Sequence, residues 1–200
     1  MTLRELREHL YDIVIAYFKG LEPNGVVWAG SNSVKATPPF VTLKTGAVTQ
    51  TTFGNVRCDG GVSSTEYNMK TILEVQLFTP GGEREHGEGE ALAMENTAVS
   101  DLIDFVNYMK SDYVSGITEG LNITLIPMGQ VQDVSALLND VSFEYRAMVE
   151  FQVNFVQTAT GAAGISTPGW KPTPSGGGSA ELAAKEIGYF DEVAIKEEKI

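Results

Sequence analysis

The sequence predicts an α+β fold, with a mostly antiparallel sheet of four or more strands and two helices packed on one face of that sheet. Two long stretches, residues 67–77 and 143–155, alternate apolar and polar side chains, as strands with one buried face do. Two other stretches repeat apolar residues every three or four positions, as helices do. We therefore expect the two long strands to be neighbours beneath the two helices.

The strand predicted at residues 143–155 is about twice the usual strand length of about five or six residues. Its odd-numbered positions form an aromatic and aliphatic row that we expect in the core: Phe143, Tyr145, Ala147, Val149, Phe151, Val153 and Phe155. Shorter strands are predicted at residues 26–29, 40–44 and 121–126, the last closed by Pro127. Residues 131–138 are predicted to form a connecting loop or a single helical turn.

The first helix is predicted to begin at a capping box formed by Thr2 and Glu5 and to end near Gly20 and Pro23. The second helical pattern runs from Leu92 to Met109, after an acidic run at residues 83–90. Acidic residues are favourable at a helix N-terminus, where the free amides supply positive potential.

Residues 45–64 predict a long loop or an open hairpin whose tip is residues 58–61, because Thr, Gly, Asn and Asp dominate there. Long segments of this kind often bind partners. We take Phe53, Arg57 and Asp59 as candidate partner contacts. A mobile hairpin in the isolated protein is the alternative.

The composition divides the chain into a domain at residues 1–157, a Gly/Pro/Ser-rich linker at 158–179 and a C-terminal arm at 180–200. The arm is predicted to hold a short helix and a strand. An apolar strand on such an arm is best satisfied by pairing with a sheet edge, of its own domain or of a neighbour. The candidate arm contacts are Tyr189, Phe190, Val193 and Ile195.

Charge and cysteine content exclude several classes of function. The formal net charge of −12 argues against affinity for a phosphate backbone or an anionic membrane. Cys58 is the only cysteine, so no intramolecular disulfide can form, and a reducing cytoplasm fits by default. No signal peptide or membrane-spanning segment is predicted.

The sequence offers no recognisable catalytic set. Two histidines and one cysteine lack the spacing of a histidine-dependent triad or a structural zinc site, and no phosphate-binding glycine loop is present. Glu83, Glu85, His86 and Glu88 resemble metal ligands in type, but a solvated helix start explains them better. We predict no enzyme, no cofactor and no metal, and rank a binding or structural role first.

Several segments resemble the neck or tail-terminator family of long-tailed bacteriophages. They are the first helix, the segment at residues 36–44, and residues 131–155 with their Asp-Val-Ser-Ala-Leu-Leu and Glu-Tyr-Arg-Ala sequences. The resemblance covers residues 1–157. It implies an α+β virion protein, assembled in the host cytoplasm, that forms a ring, usually a hexamer. Such a ring caps the tail tube and docks to the head-side connector, and the family has no catalytic residues to carry over.

In such a ring, the polar face of the long strand is predicted to meet the lumen or an adjacent subunit, with plain solvation as the alternative. DNA would pass through an acidic lumen without specific binding. Two other functions stay open: another ring component, such as a tail tube or head-completion protein, and a small acidic enzyme or ligand-binding domain. The residues of the polar face are Glu144, Arg146, Glu150, Gln152 and Asn154.

Overall fold

The computed structural model describes residues 1–21, 25–30, 37–59, 62–84, 93–139 and 142–160, and the account below concerns these residues. Nearly all of the predicted linker and the whole predicted arm lie outside them. The four candidate arm contacts, Tyr189, Phe190, Val193 and Ile195, therefore have no structural description.

The fold is α+β, as predicted, and is built on a sheet in which the described part of the chain contributes eight strands. The path through the sheet is β1 (Val26–Trp28), β2 (Phe40–Thr45), β5 (Val62–Thr79), β10 (Ser142–Thr160) and β8 (Ile123–Asp133). Two short strands, β3 (Thr49–Gln50) and β4 (Asn55–Asp59), pair with β5, and β9 (Ala136–Asn139) pairs with β10. The pair β1–β2 is parallel, and the other pairs are antiparallel.

Two long strands, β5 and β10, form the centre of the sheet. Their register runs from Tyr145 opposite Thr79 to Thr160 opposite Ser64, so the predicted neighbours do pair. Both strands are longer than the sequence pattern indicated, with 18 residues in β5 and 19 in β10. Part of the extra length of β5, residues 62–64, lies in the segment predicted as a loop or hairpin.

The hairpin interpretation of residues 45–64 is confirmed. β4 pairs with the start of β5 from Asn55 opposite Glu66 to Asp59 opposite Val62, so the predicted tip at residues 58–61 is wrong for Cys58 and Asp59, which belong to β4. A separate small sheet joins β6 (Gly82–Arg84) to β7 (Ala93–Glu95).

The first helix, α1 (Leu3–Tyr17), begins at the predicted capping box. The Glu5 amide donates to Thr2 Oγ1 at 3.2 Å, and the Thr2 amide donates to Glu5 Oε2 at 2.8 Å. The hydrogen bond from the Thr2 backbone lowers the pKa of the Glu5 carboxyl. The capping box thus fixes the start of the helix through both its partners.

The second predicted helix starts later than expected. Ala93–Glu95 is strand β7, so the expected start at Leu92 is wrong, and α2 spans Ala98–Met109. Residues upstream of α2 happen to continue its apolar spacing, although they belong to a strand that pairs with β6. A third helix, α3 (Asp112–Gly120), was not predicted, because it has nine residues, includes Gly116 and buries just Val114 and Thr118.

The core forms where α1 and α2 meet the odd-numbered side chains of β5 and β10. Phe105 of α2 lies against Phe151 of β10, with ring centres 6.1 Å apart, and Tyr17 of α1 lies 5.4 Å from Phe105. The odd row of β10 is buried from Ala147 to Phe155, as predicted. Phe143 is an exception with 59% exposure, because it lies on a hairpin beyond the buried cluster.

The prediction that the strand after α3 closes at Pro127 is wrong, because β8 continues through it to Asp133. β8 is the last strand on the path through the sheet, and an edge strand tolerates a residue without an N–H group. The register of β8 against β10 shifts between Met148 and Glu150, beside Gly129 with φ of +75°. Residues 131–138 are likewise strand for most of their length rather than a loop or helical turn, since they contain the end of β8 and most of β9.

Candidate assembly surfaces

The even-numbered face of β10 is the surface predicted to meet a lumen or a neighbour. Its side chains are half-buried from Glu144 to Asn154, and none belongs to the buried core cluster. The register places Gln152 opposite Ile72 and Asn154 opposite Lys70. This face therefore mixes charged, amide and aliphatic groups across β2, β5, β10 and β8. We call it the open face.

Glu150 lies at the middle of the open face, opposite Glu74 of β5. Glu74 has two partners: Gln76 Nε2 donates to its Oε1 at 2.6 Å, and Lys44 Nζ lies 3.9 Å from its Oε2. Glu150 makes no hydrogen bond or ion pair to another described residue. Nearby, Gln152 Nε2 donates to Asn154 Oδ1 at 3.1 Å, which links these two amides along the strand.

Arg146 lies at one end of the open face, where its own subunit holds it. Its Nε donates to the Val134 carbonyl at 3.2 Å, and its guanidinium carbon lies 5.4 Å from the centre of the Phe78 ring. Phe78 in turn stacks on Phe40 with ring centres 4.3 Å apart. These contacts orient the guanidinium over an aromatic pair, which pure solvation would not require.

A polar network fixes the backbone beneath Arg146. The Arg146 amide donates to Ser135 Oγ at 2.9 Å, the Ser135 amide donates to Asp133 Oδ1 at 2.9 Å, and Asn96 Nδ2 donates to Asp133 Oδ2 at 3.0 Å. Asn96 Oδ1 also accepts from the Ala98 amide, at the start of α2. Ser135, through its hydroxyl and then its amide, lowers the pKa of Asp133, with a smaller contribution from Asn96. The network joins α2 to the turn between β8 and β9.

The predicted partner-contact segment forms an exposed structure that we call the Phe53 hairpin, residues 49–66. Phe53 is 94% exposed and Val56 is 67% exposed. Arg57 Nε lies 3.2 Å from Glu66 Oε2 on the adjacent strand, so its charge is paired within the hairpin. Asp59 ends β4 and pairs with Val62, and its side chain lies outside what the structure describes.

A second exposed apolar hairpin was missed in the sequence. Leu137 of β9 lies opposite Phe143 of β10, and these side chains are 55% and 59% exposed. We call residues 136–144 the Phe143 hairpin. It lies at the other end of β10 from the Phe53 hairpin, roughly 45 Å away at about 3.3 Å per residue. The alternation of residues 143–155 indicated the strand but could not show where the core ends.

Two other classes of site are absent from the part of the chain that the structure describes. Within these ranges, no three or more His, Cys, Asp or Glu side chains gather in a way that would hold a metal ion. No described helix is both long and apolar enough to cross a membrane. The surfaces with distinctive features are therefore the open face and the two hairpins.

A comparison with protein families identifies the family of the chain that carries these surfaces. The sequence model for phage neck terminator proteins matches residues 4–169. The chain belongs to this family. A comparison with curated proteins gives no match.

Neck terminator proteins are structural components of the virion neck and tail, and they interact with other proteins there. Family membership confirms the resemblance found in the sequence. The matched region reaches residue 169, past the end of β10 at Thr160. For a neck terminator, exposed apolar hairpins at both ends of a long strand are docking surfaces to be tested. The five polar residues of the open face have a defined placement, and their contact role stays a prediction.

Proposed function

We propose that this neck terminator forms a hexameric ring that ends the tail tube and joins it to the head-side connector. The observation that carries the proposal is the pair of exposed apolar hairpins at opposite ends of β10. A protein placed between two different partners needs contact surfaces directed both ways, and exposed apolar patches are typical of interaction sites.

The open face supports a place for this sheet in the wall of a ring. Its residues Glu144, Glu150, Gln152 and Asn154 are half-buried in the isolated chain, and Glu150 carries a charge with no described partner. We propose that part of this face meets the lumen or the adjacent subunit. With a net charge of −12, a ring of such subunits would repel phosphate, so DNA would pass without specific binding.

The C-terminal arm is proposed to strengthen assembly by pairing its apolar strand with a sheet edge of a neighbour. Val193→Asp together with Ile195→Asp in the full chain should lower ring stability while the unfolding of the domain stays unchanged. Lys196→Asp is the matched control, since it alters charge without removing an apolar side chain. Rings of unchanged stability in the double variant would remove the arm from the proposal.

Native mass spectrometry of the purified protein tests the ring itself. We expect a hexamer whose dissociation depends on protein concentration, and negative-stain images with a central hole. A monomer or dimer at every concentration would refute the ring. Counting copies per particle then separates a terminator, present as one ring, from a tube protein, which repeats along the tail.

A further inference from the structure

The end of the sheet near the Phe53 hairpin is three-stranded, with β4, β5 and the last residues of β10 side by side. β5 pairs there with β4 on one side and with β10 on the other. β8 stops pairing with β10 at Phe155, opposite Ile123. Beyond Phe155, no other described strand lies on that side of β10, and none lies on the outer side of β4. Both edges of this three-stranded end are therefore unpaired among the residues that the structure describes.

The hydrogen-bond pattern shows which backbone groups face outward. In an antiparallel strand, the N–H and C=O groups of successive residues point to opposite sides. The Thr51 amide donates to the Asn68 carbonyl at 2.9 Å, so the even residues of β5 face the side of β3 and β4. On β10, the Met1 ammonium donates to the Val156 carbonyl at 3.1 Å, so the even residues of β10 direct their backbone groups away from β5. The next outward groups are those of Thr158 and Thr160.

The same reasoning applies to β4. Asn55 and Arg57 lie opposite Glu66 and Ser64, which are even residues of β5, and so exchange hydrogen bonds with them. The outward N–H and C=O groups on β4 therefore belong to Val56 and Cys58.

The β4 edge lacks the features that keep edge strands apart. Proteins usually protect such edges with proline, charge, a bulge or a covering element. β4 has no proline, and of its two charged residues Arg57 is tied to Glu66 across the strand and Asp59 stands at its last position. Val56 is 67% exposed within it, and Phe53 is 94% exposed just before it. This edge is suited to pairing with another strand.

The two open edges match each other in level and direction. Asn55 pairs with Glu66, which pairs with Thr158, and Arg57 pairs with Ser64, which pairs with Thr160. Both β4 and β10 run antiparallel to β5, so they run parallel to each other. A rotation about an axis along the strands brings β4 of one copy beside β10 of the next. In a ring, neighbouring copies of the subunit thus pair with both edges, whereas one strand from a C-terminal arm pairs with one edge.

We propose that β4 of each subunit pairs in parallel with residues 158–160 of the next subunit, joining the ring through a continuous sheet. The inference rests on the proposed ring and adds the surface that closes it. The two edges are different surfaces, so the contact is head-to-tail, the kind that generates closed rings. At the level set by β5, the Val56 amide donates to the Thr158 carbonyl of the neighbour, and the Val56 carbonyl accepts from the Thr160 amide.

Proline substitutions at the outward positions test the pairing. Val56→Pro and Thr158→Pro each remove an outward N–H that the isolated subunit does not use, and proline is tolerated at such edge positions. We expect each variant to lose the ring in native mass spectrometry. Val56→Ala and Thr158→Ala keep the N–H and should keep the ring. Urea unfolding of all four variants checks that the subunit still folds.

Mixing the two proline variants gives the sharpest result. Val56→Pro retains the β10 edge, and Thr158→Pro retains the β4 edge. Neither should associate alone, and together they should form a one-to-one dimer that cannot grow. Hydrogen exchange of the wild-type protein tests the pairing without any proline substitution. The Thr158 and Thr160 amides should exchange slowly in the ring and fast after dilution to monomers.

Four outcomes would overturn the inference. Proline variants that form normal rings, or fast exchange at Thr158 and Thr160 within the ring, would refute the pairing while leaving the ring intact. Loss of assembly in Val56→Pro with none in Thr158→Pro would show that β4 pairs with something other than β10. A wild-type protein that forms no ring would refute the proposed function as well.

Discussion

Glu150 of β10 lies directly opposite Glu74 of β5 in the middle of the open face. Two carboxylates in this cross-strand position repel each other. Glu74 is partly compensated by Lys44 and Gln76, while Glu150 has no partner among the described residues. A sequence selected for the stability of the isolated subunit alone would not favour this pair, which supports a contact role for the face.

Removing the charge of Glu150 should stabilise the isolated subunit. Glu150→Gln relieves the repulsion and should raise the free energy of unfolding by about 0.2–1 kcal/mol, measured by urea denaturation. Glu144→Gln is the matched control, because Glu144 lies opposite Ala136 and not opposite an acid. An equal gain in both variants would show that net charge, and not the pair, is responsible.

Reversing charge on the open face should reveal whether it lines the lumen. Glu144→Lys with Glu150→Lys should give assembled rings a salt-dependent affinity for DNA, because clustered cations bind phosphate. Asp12→Lys with Glu119→Lys changes the net charge equally from two exposed helix positions. Filter binding at several salt concentrations checks this. Equal binding by both variants would exclude a lumenal position, and loss of the ring would indicate a subunit interface.

Substitution of Gly81 should destabilise the subunit more than substitution of Gly30. Both have positive φ, +88° and +82°, so alanine strains each by about 1–2 kcal/mol. A Cβ on Gly81 would also lie 2.8 Å from Tyr145 Cε2 and 3.0 Å from the Glu95 carbonyl oxygen, whereas no described atom lies within 4 Å at Gly30. Overpacking adds about 1–3 kcal/mol. Equal loss in the two unfolding curves would contradict this packing.

The Asp133 network should make the free energy of unfolding depend on pH in the acid range. Because the folded pKa of Asp133 lies below its ordinary value of 3.8, its contribution is present above that value and is lost as pH falls through the folded pKa. Asp133→Asn should therefore lower stability at neutral pH and flatten the decline below about pH 4. Asp12→Asn, at an exposed site in α1, is the control. Parallel acid-unfolding curves for Asp133→Asn and the wild type would contradict the network.

Phe53 should matter for assembly and hardly at all for folding. Because it is 94% exposed, Phe53→Ser should change the free energy of unfolding by no more than about 0.5 kcal/mol. It should nevertheless reduce plaque formation by a phage that depends on this copy of the protein. Tyr113→Ser, at a 62% exposed aromatic residue on α3, should leave plaque formation unchanged. Equal plaque counts for both variants would remove Phe53 from the docking surfaces.

Local elements with strong sequence patterns were predictable without the structure. The capping box fixed the start of α1, because both its partners lie within one turn of helix. Alternation identified β5 and β10 and the buried row from Ala147 to Phe155, since a two-residue period assigns each side chain to a face. The same segments were enough to suggest the family. The helix α3 was missed because it has nine residues, one of them the poor helix former Gly116, and buries just Val114 and Thr118.

Tertiary structure alone decided where the buried region ends and which edges stay open. Phe143 and Phe151 have the same place in the alternating pattern, yet Phe151 is buried beside Phe105 and Phe143 is 59% exposed on a hairpin. Pattern specifies the face on which a side chain lies, but exposure depends on what covers that face. Likewise, Asn55 is level with Thr158 because both pair with Glu66, and this follows from the register of β4 and β5 with the distant strand β10. Local propensity carries no information about that register, because backbone pairing is a contact between segments.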